Sequence, residues 1–178
     1  ILFNANGNIL ISGYFTGGSI RFDVSKKLYR NGLQDIFIAK FDVDGNLLWA
    51  NNYGSNDYYF NSASMVSDSA GNIYVAASNS AYYTELIKIA AADYTLWNYS
   101  LYVDCRKLAI KNSHLYLTGY ITGTQCFGDI LLERNNFHFN MYLACCDLDG
   151  NFLFSWERYN QEEAMRQSNG ANIEDDSF

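Results

Sequence analysis

Proline is missing from all 178 residues, histidine occurs only twice, and Asp, Glu, Lys and Arg together make up 17% of the chain. So little charge is poor for solvated helices, whose outward stripe is built from charged and polar residues. Imidazole chemistry could involve only His114 and His138, and no spacing singles out a partner for either. No Gly-x-Ser-x-Gly elbow, phosphate loop or His-Glu-x-x-His line occurs. No apolar run reaches the ~20 residues that a membrane-spanning helix needs. The net charge of −7 provides no basic face for phosphate, which argues against nucleic-acid binding. The lack of proline points to no function.

Cysteine is sparse too: Cys105, Cys126, Cys145 and Cys146 form no paired Cys-x-x-Cys lines, which argues against a zinc site. They read as small buried hydrophobes. A Cys105–Cys126 bridge stays open, since connectivity cannot be deduced from sequence. Cys145 and Cys146 adjoin on a predicted strand, so their side chains leave opposite faces.

What the chain has in quantity is aromatic residues, 17% of the total with fifteen Tyr and twelve Phe, a composition that favours strands. It also repeats itself. Asp42-Val43-Asp44-Gly45-Asn46-Leu47-Leu48-Trp49 returns as Asp147-Leu148-Asp149-Gly150-Asn151-Phe152-Leu153-Phe154, with Ala90 to Trp97 as an eroded copy between them. Each copy is preceded by an apolar strand, at Phe37–Phe41, Glu85–Ile89 and Tyr142–Cys146. The interval from Lys40 to Trp49 equals those from Lys88 to Trp97 and from Cys145 to Phe154. Earlier in each unit comes a further strand, at Ile9–Tyr14, Ile73–Ser78 and Leu115–Tyr120, and Ala63–Ser67 and Lys107–Ile110 read as strands before the last two.

The strands are apolar on both faces, as in sheets covered on both sides, and Gly/Asn turns separate them. Four short strands in about fifty residues, repeated, is a propeller pattern. The expected fold is all-β: β-propeller blades, each a four-stranded antiparallel sheet, about three and a half of them in an incomplete or partner-completed ring. The units run 1–56, 57–104 (degenerate) and 105–160, with 161–178 a truncated or diverged fourth. In that tail Gly170-Ala171-Asn172-Ile173 echoes Gly71-Asn72-Ile73 before Glu174-Asp175-Asp176 breaks the apolar pattern. A stretch of variable length separates the two halves of each unit: Thr16 to Asp35, a few residues around Tyr82, and Thr122 to Asn140. Length changes of this kind are expected in loops along one edge. The opening on Ile1 rather than Met reads as a mature or partial product.

The line Asp35-Ile36-Phe37-Ile38-Ala39-Lys40-Phe41-Asp42-x-Asp44-Gly45-Asn46-Leu47-Leu48-Trp49-Ala50-x-x-Tyr53-Gly54, with Asp68-Ser69-Ala70-Gly71-Asn72-Ile73-Tyr74-Val75, resembles the SBBP family of bacterial β-propeller repeats. The likeness runs over about residues 1–160, with Ala92-Asp93 in place of Asp-Gly in unit two and Cys145 in place of Lys40 in unit three. It implies an extracellular or cell-surface bacterial protein. The expected role is a non-enzymatic binding or scaffold module for a protein or glycan, completed by further blades of the same polypeptide or of another chain. The alternatives are part of a quinoprotein-like propeller enzyme, whose repeats Gly45 to Trp49 suggest, and a structural subunit closed by a partner chain.

Two sets of residues are candidates for chemistry. Tyr58, Tyr59, Phe60 and Asn61 could stack on and hydrogen-bond a ligand, since tyrosine offers an apolar face and a polar tip. The alternative is packing between neighbouring blades. Asp42, Asp44, Asp147 and Asp149 suggest a calcium site, because hard cations take clustered oxygen ligands. As hairpin turns these residues need no metal, and no other cofactor is expected.

Overall fold

The computed structural model describes residues 1–55, 58–121, 123–132 and 140–158, and for Ser55, Asn61, Ser62 and 156–158 the main chain alone. The expected fourth unit at 161–178 lies outside the described residues, as do Asn56 and His138. The chain is all-β, with no helix among the described residues. Strands β1 (Leu2–Phe3), β2 (Ile9–Phe15), β3 (Ser19–Arg21), β4 (Lys27–Tyr29), β5 (Gln34–Phe41) and β6 (Leu47–Ser55) come first. Next are β7 (Phe60–Ser67), β8 (Ile73–Asn79), β9 (Thr84–Ile89) and β10 (Thr95–Leu101). The last are β11 (Asp104–Lys111), β12 (His114–Ile121), β13 (Gln125–Phe127), β14 (Ile130–Leu132), β15 (Asn140–Asp147) and β16 (Phe152–Arg158).

They form three four-stranded sheets, β1-β2-β5-β6, β7-β8-β9-β10 and β11-β12-β15-β16, with β3-β4 and β13-β14 as separate two-stranded ribbons. Every pairing is antiparallel. No closed ring is found among the described residues.

One turn geometry joins most strands. At Asn4, Asp42, Asp68, Asn79, Ala90 and Asp147 the first residue's N–H donates to the carbonyl four residues on, and its own carbonyl accepts from the N–H three residues on. The fourth residue needs positive φ, as at Gly7 (77°), Gly45 (84°), Gly71 (86°) and Gly150 (92°). A glycine takes that conformation without steric cost. Two turns place a bulkier residue there, Tyr82 (φ 63°) and Asp93 (φ 75°).

The sheets stack in sequence. Leu10, Ile36, Ile38 and Trp49 of sheet one form one buried cluster with Ile73, Val75, Ala77 and Ile87 of sheet two. The other face of sheet two, through Tyr74, Ala76 and Leu86, shares a second cluster with Leu115, Leu117, Ala144 and Cys146 of sheet three. Sheet two is therefore covered on both sides, and every residue of β8 is buried. This is what its unbroken apolar sequence requires. The packing is head to tail: Ile73 and Val75 face sheet one as Leu115 and Leu117 face sheet two. The matching face of sheet one, with Ile11, Phe37 and Phe41, lies under Ile20, Phe22 and Leu28 of the β3-β4 segment.

A lysine ties each sheet to the next. The Lys40 ammonium donates to the Ala91 carbonyl at 3.3 Å, and that of Lys88 to the Leu148 carbonyl at 2.6 Å. The acceptors occupy the same place in successive hairpin turns, so the contact repeats with the sequence. In sheet three Cys145 stands at the lysine position and ends the series. None of the four cysteines is in a disulfide, so the Cys105–Cys126 bridge is not formed: Cys105 is buried while Cys126 is exposed on its ribbon. Burial pushes the Cys105 thiol up to about 11 and Cys146 up to about 12, which leaves both as protonated core groups.

Candidate functional site

The variable stretches are not simply edge loops. In units one and three they are β-ribbons folded over a sheet face. Phe22 sets its ring edge-on to Phe37 at 5.2 Å, and Phe127 lies 5.3 Å from Tyr142 and 5.4 Å from Phe152. Phe37 and Tyr142 hold the same position, three residues before Lys40 and Cys145. Phe127 is fully buried in the cluster shared by sheets two and three, so the β13-β14 ribbon fills the wedge between them.

Unit two has no such ribbon, since the short turn Asn79 to Tyr83 connects β8 and β9. The wedge between sheets one and two is left open as a cleft of about 500 Å³. Its floor and walls are Ile36, Ile38, Tyr53 and Gly54 from sheet one, and Val75, Ala77, Asn79, Glu85, Ile87, Asn98 and Ser100 from sheet two. Tyr58, Phe60 and Tyr83 complete the lining. Glu85 occupies the position of Phe37 and Tyr142, so the ring that meets a ribbon phenylalanine elsewhere is here a carboxylate.

The lining is held from several sides. Asn79 Oδ1 accepts from the Ala81 and Tyr83 amides at 3.0 and 3.1 Å, which fixes the turn that carries Tyr83. In the same turn Tyr82 takes the left-handed conformation that glycine takes in the sister turns. For a bulky residue this conformation is strained, and such strain concentrates at sites of function. The Phe60 amide donates to Gln34 Oε1 at 2.6 Å, which ties the start of β7 to sheet one. Tyr58 stacks on Tyr83 at 6.1 Å, and Tyr83 meets Tyr102 edge-on at 4.5 Å. Ser100 donates to Glu85 Oε1 at 2.8 Å. Burial pushes the Tyr53 hydroxyl, which lies 3.4 Å from Thr95 Oγ1, above the ordinary tyrosine range, so it stays protonated. Glu85 is the one ionisable acid or base among the lining residues apart from the tyrosines. The cleft thus offers an apolar floor, tyrosine and amide edges, and a carboxylate with no Lys, Arg or His among the described lining residues.

Of the residues singled out in the sequence, Tyr58 and Phe60 line the cleft. Tyr59 is 51% exposed outside it, and its carbonyl accepts from the Ser80 amide. The Asn61 side chain lies outside the described residues. Tyr53, Asn79, Glu85, Asn98 and Ser100 were not foreseen. The one signal that could have found them is the shortened middle of unit two.

The paired aspartates serve their own turns. Asp42 Oδ1 accepts from the Asp44 and Asn46 amides at 3.0 and 2.8 Å, and Oδ2 from the Asn46 side chain at 2.9 Å. Asp147 repeats this with Asp149 and Asn151. The asparagine side-chain bond is the main cause that holds both carboxyls below the ordinary aspartate value. Asp44 carries no further part in that pattern than its amide, and Asp149 meets Lys88 at 3.3 Å. Among the described residues no three His, Cys, Asp or Glu side chains gather where they could hold a metal ion. His114 places Nδ1 2.7 Å from the Asn112 carbonyl in an exposed turn.

No model of a known protein family matches the chain, and no curated protein matches it either.

Proposed function

We propose that this chain is a non-enzymatic binding module, and that the cleft between sheets one and two is where it holds a protein or glycan ligand. The sheets are read as successive propeller blades, with further blades of this or another polypeptide continuing the stack. The SBBP-like line from Asp35 to Gly54 supports that reading and the extracellular or cell-surface location that goes with it.

The observation that carries the function is the open wedge itself. Two ribbons cover the corresponding face in units one and three, whereas in unit two that face packs on sheet one without a ribbon and leaves a wedge lined by tyrosine, asparagine and one carboxylate. Concave sites of a few hundred Å³ with an apolar lining and a few polar groups are the usual form of ligand sites.

Peptide and glycan arrays probed with the wild-type protein and with Asn98→Trp test the reading. Asn98 is exposed at the mouth of the cleft, so an indole there fills the opening without disturbing the core. The expected result is a set of hits that the variant loses while its circular dichroism is unchanged. Arrays with no hits, or hits that survive in Asn98→Trp, would overturn the proposal.

A further inference from the structure

The sister units say what shape the cleft is made for. The ribbons of units one and three lay apolar side chains, Ile20, Phe22 and Leu28 in one and Phe127, Ile130 and Leu132 in the other, on the face that in unit two has no ribbon and borders the open wedge. The vacant volume is therefore the place of an extended two-stranded segment rather than a flat platform. At the cleft Tyr58 and Tyr83 stack on one another and Tyr102 closes on Tyr83 edge-on, so one face of Tyr58 and one of Tyr83 are already taken. The one charged group of the lining, Glu85, replaces the aromatic ring that meets the ribbon phenylalanine elsewhere, on a chain of net charge −7. An occupant that buries Glu85 must bring a cation to it, since a buried carboxylate without a partner is costly.

We propose that the occupant is a basic, extended segment of a partner protein, which takes the place of the missing ribbon with apolar side chains on the Ile36–Ile87 floor and a lysine or arginine against Glu85. This rests on the cleft being a binding site. It adds the class of ligand, and makes recognition a matter of strand-like insertion between two sheets.

A ready probe is the fluorescein-labelled peptide of residues 17–31, Gly-Gly-Ser-Ile-Arg-Phe-Asp-Val-Ser-Lys-Lys-Leu-Tyr-Arg-Asn. It carries Ile20, Phe22 and Leu28 with four basic residues and one acidic one. Fluorescence anisotropy should show saturable binding that Asn98→Trp weakens at least about tenfold and Glu85→Gln roughly fivefold, with the Glu85→Gln loss shrinking in high salt. A control peptide with Arg21→Glu and Lys27→Glu should bind far more weakly. Thermal melts of the protein variants establish that they are folded, and Tyr83→Ala gives an independent loss from the β8–β9 turn. No saturation up to about 1 mM, or binding indifferent to both Asn98→Trp and Tyr83→Ala, would overturn the assignment. Glycan hits lost in Asn98→Trp while the basic peptides stay silent would keep the cleft as a binding site and overturn its occupant. A dimer in sedimentation that Asn98→Trp dissociates would overturn it as well, by making the ribbon of a second copy the occupant.

Discussion

Replacing Lys88 by methionine isolates the contact that ties sheet two to sheet three. The lysine side chain is 9% exposed, and its ammonium lies 2.6 Å from the Leu148 carbonyl and 3.3 Å from Asp149 Oδ1. It also sits 5.5 Å from the centre of the Tyr74 ring. Methionine keeps most of the stem's volume, so the packing of the aliphatic part is largely retained. What is lost is a hydrogen bond from a charged donor, worth about 1.5–3 kcal/mol. The Asp149 carboxylate is 85% exposed, and a pair of that kind adds less than about 1 kcal/mol. Against these stands the relief of a desolvated charge. The Leu148 carbonyl is not orphaned either, because the Tyr74 hydroxyl still donates to it at 3.3 Å. The balance is a loss of about 1–2 kcal/mol, which for a chain of this size lowers the melting midpoint by roughly 2–8 °C. Lys40→Met, with its longer 3.3 Å bond to Ala91, should cost about half as much. Differential scanning calorimetry of wild type, Lys88→Met, Asp149→Asn and the double variant separates carbonyl from carboxylate. A Lys88→Met midpoint equal to or above wild type would refute the reasoning, since desolvation would then outweigh the bond.

Two further outcomes follow from backbone and charge. A methyl on Gly119 would overlap the Asp104 carbonyl oxygen and stand 2.9 Å from the Arg106 nitrogen, at the bulge of β11. Gly119→Ala should therefore cost about 3 kcal/mol in urea unfolding, whereas Gly18→Ala, with nothing within 4 Å and no positive φ, should be neutral or stabilise by up to about 1 kcal/mol. Equal midpoints for the two would contradict the packing of β11 on β12. For Asp93, burial is the first cause that raises its carboxyl above the ordinary value, with Lys26, Asn51 and Lys40 opposing. The folded state then holds the proton more tightly than the unfolded one. Stability from this group is complete below the ordinary aspartate value and is lost as pH rises through the raised one. Asparagine tolerates the φ of 75° at this site and can still accept from Asn51, so Asp93→Asn should match wild type near pH 3.5 and exceed it by up to about 0.5 kcal/mol at pH 7. A deficit that grows with pH would reverse the assignment.

The repeat made the sheets legible. The even interval from Lys40 to Trp49, Lys88 to Trp97 and Cys145 to Phe154 placed each middle strand and its hairpin, and these are β5-β6, β9-β10 and β15-β16. Continuous apolar runs pointed to sheets covered on both faces, which β8 of the middle sheet fulfils. The aromatic tract at Tyr58 to Phe60 pointed toward the cleft, but the reason was out of reach. Phe60 is tied to sheet one by Gln34, far earlier in the chain, whose Oε1 accepts from its amide. Glu85 and Ser100 read as ordinary strand polars, since nothing local says that the layer meant to cover them is missing. The lysines were seen as a register mark without a role, because their acceptors are main-chain carbonyls 51 and 60 residues away, and a carbonyl leaves no trace in sequence.

That last point explains how the eroded unit still packs. Unit two has lost the turn carboxylate and the glycine that units one and three share, with Ala90 and Asp93 in their places. The turn nevertheless closes on its main chain, with the Ala90 amide donating to the Tyr94 carbonyl at 2.8 Å. What Lys40 requires from it is the Ala91 carbonyl, which any residue at that position supplies. The side chains of the turn can therefore drift while the joint between sheets survives, provided the lysine stays. The reverse change is seen in unit three, where Asp147, Gly150 and Asn151 are intact but Cys145 has replaced the donor. A sheet laid on that face would have to find its polar anchor elsewhere. The joints thus depend on a donor in one sheet and a backbone path in the next. The cleft depends on neither, and arises where a covering ribbon is left out between two sheets that Lys40 already holds together.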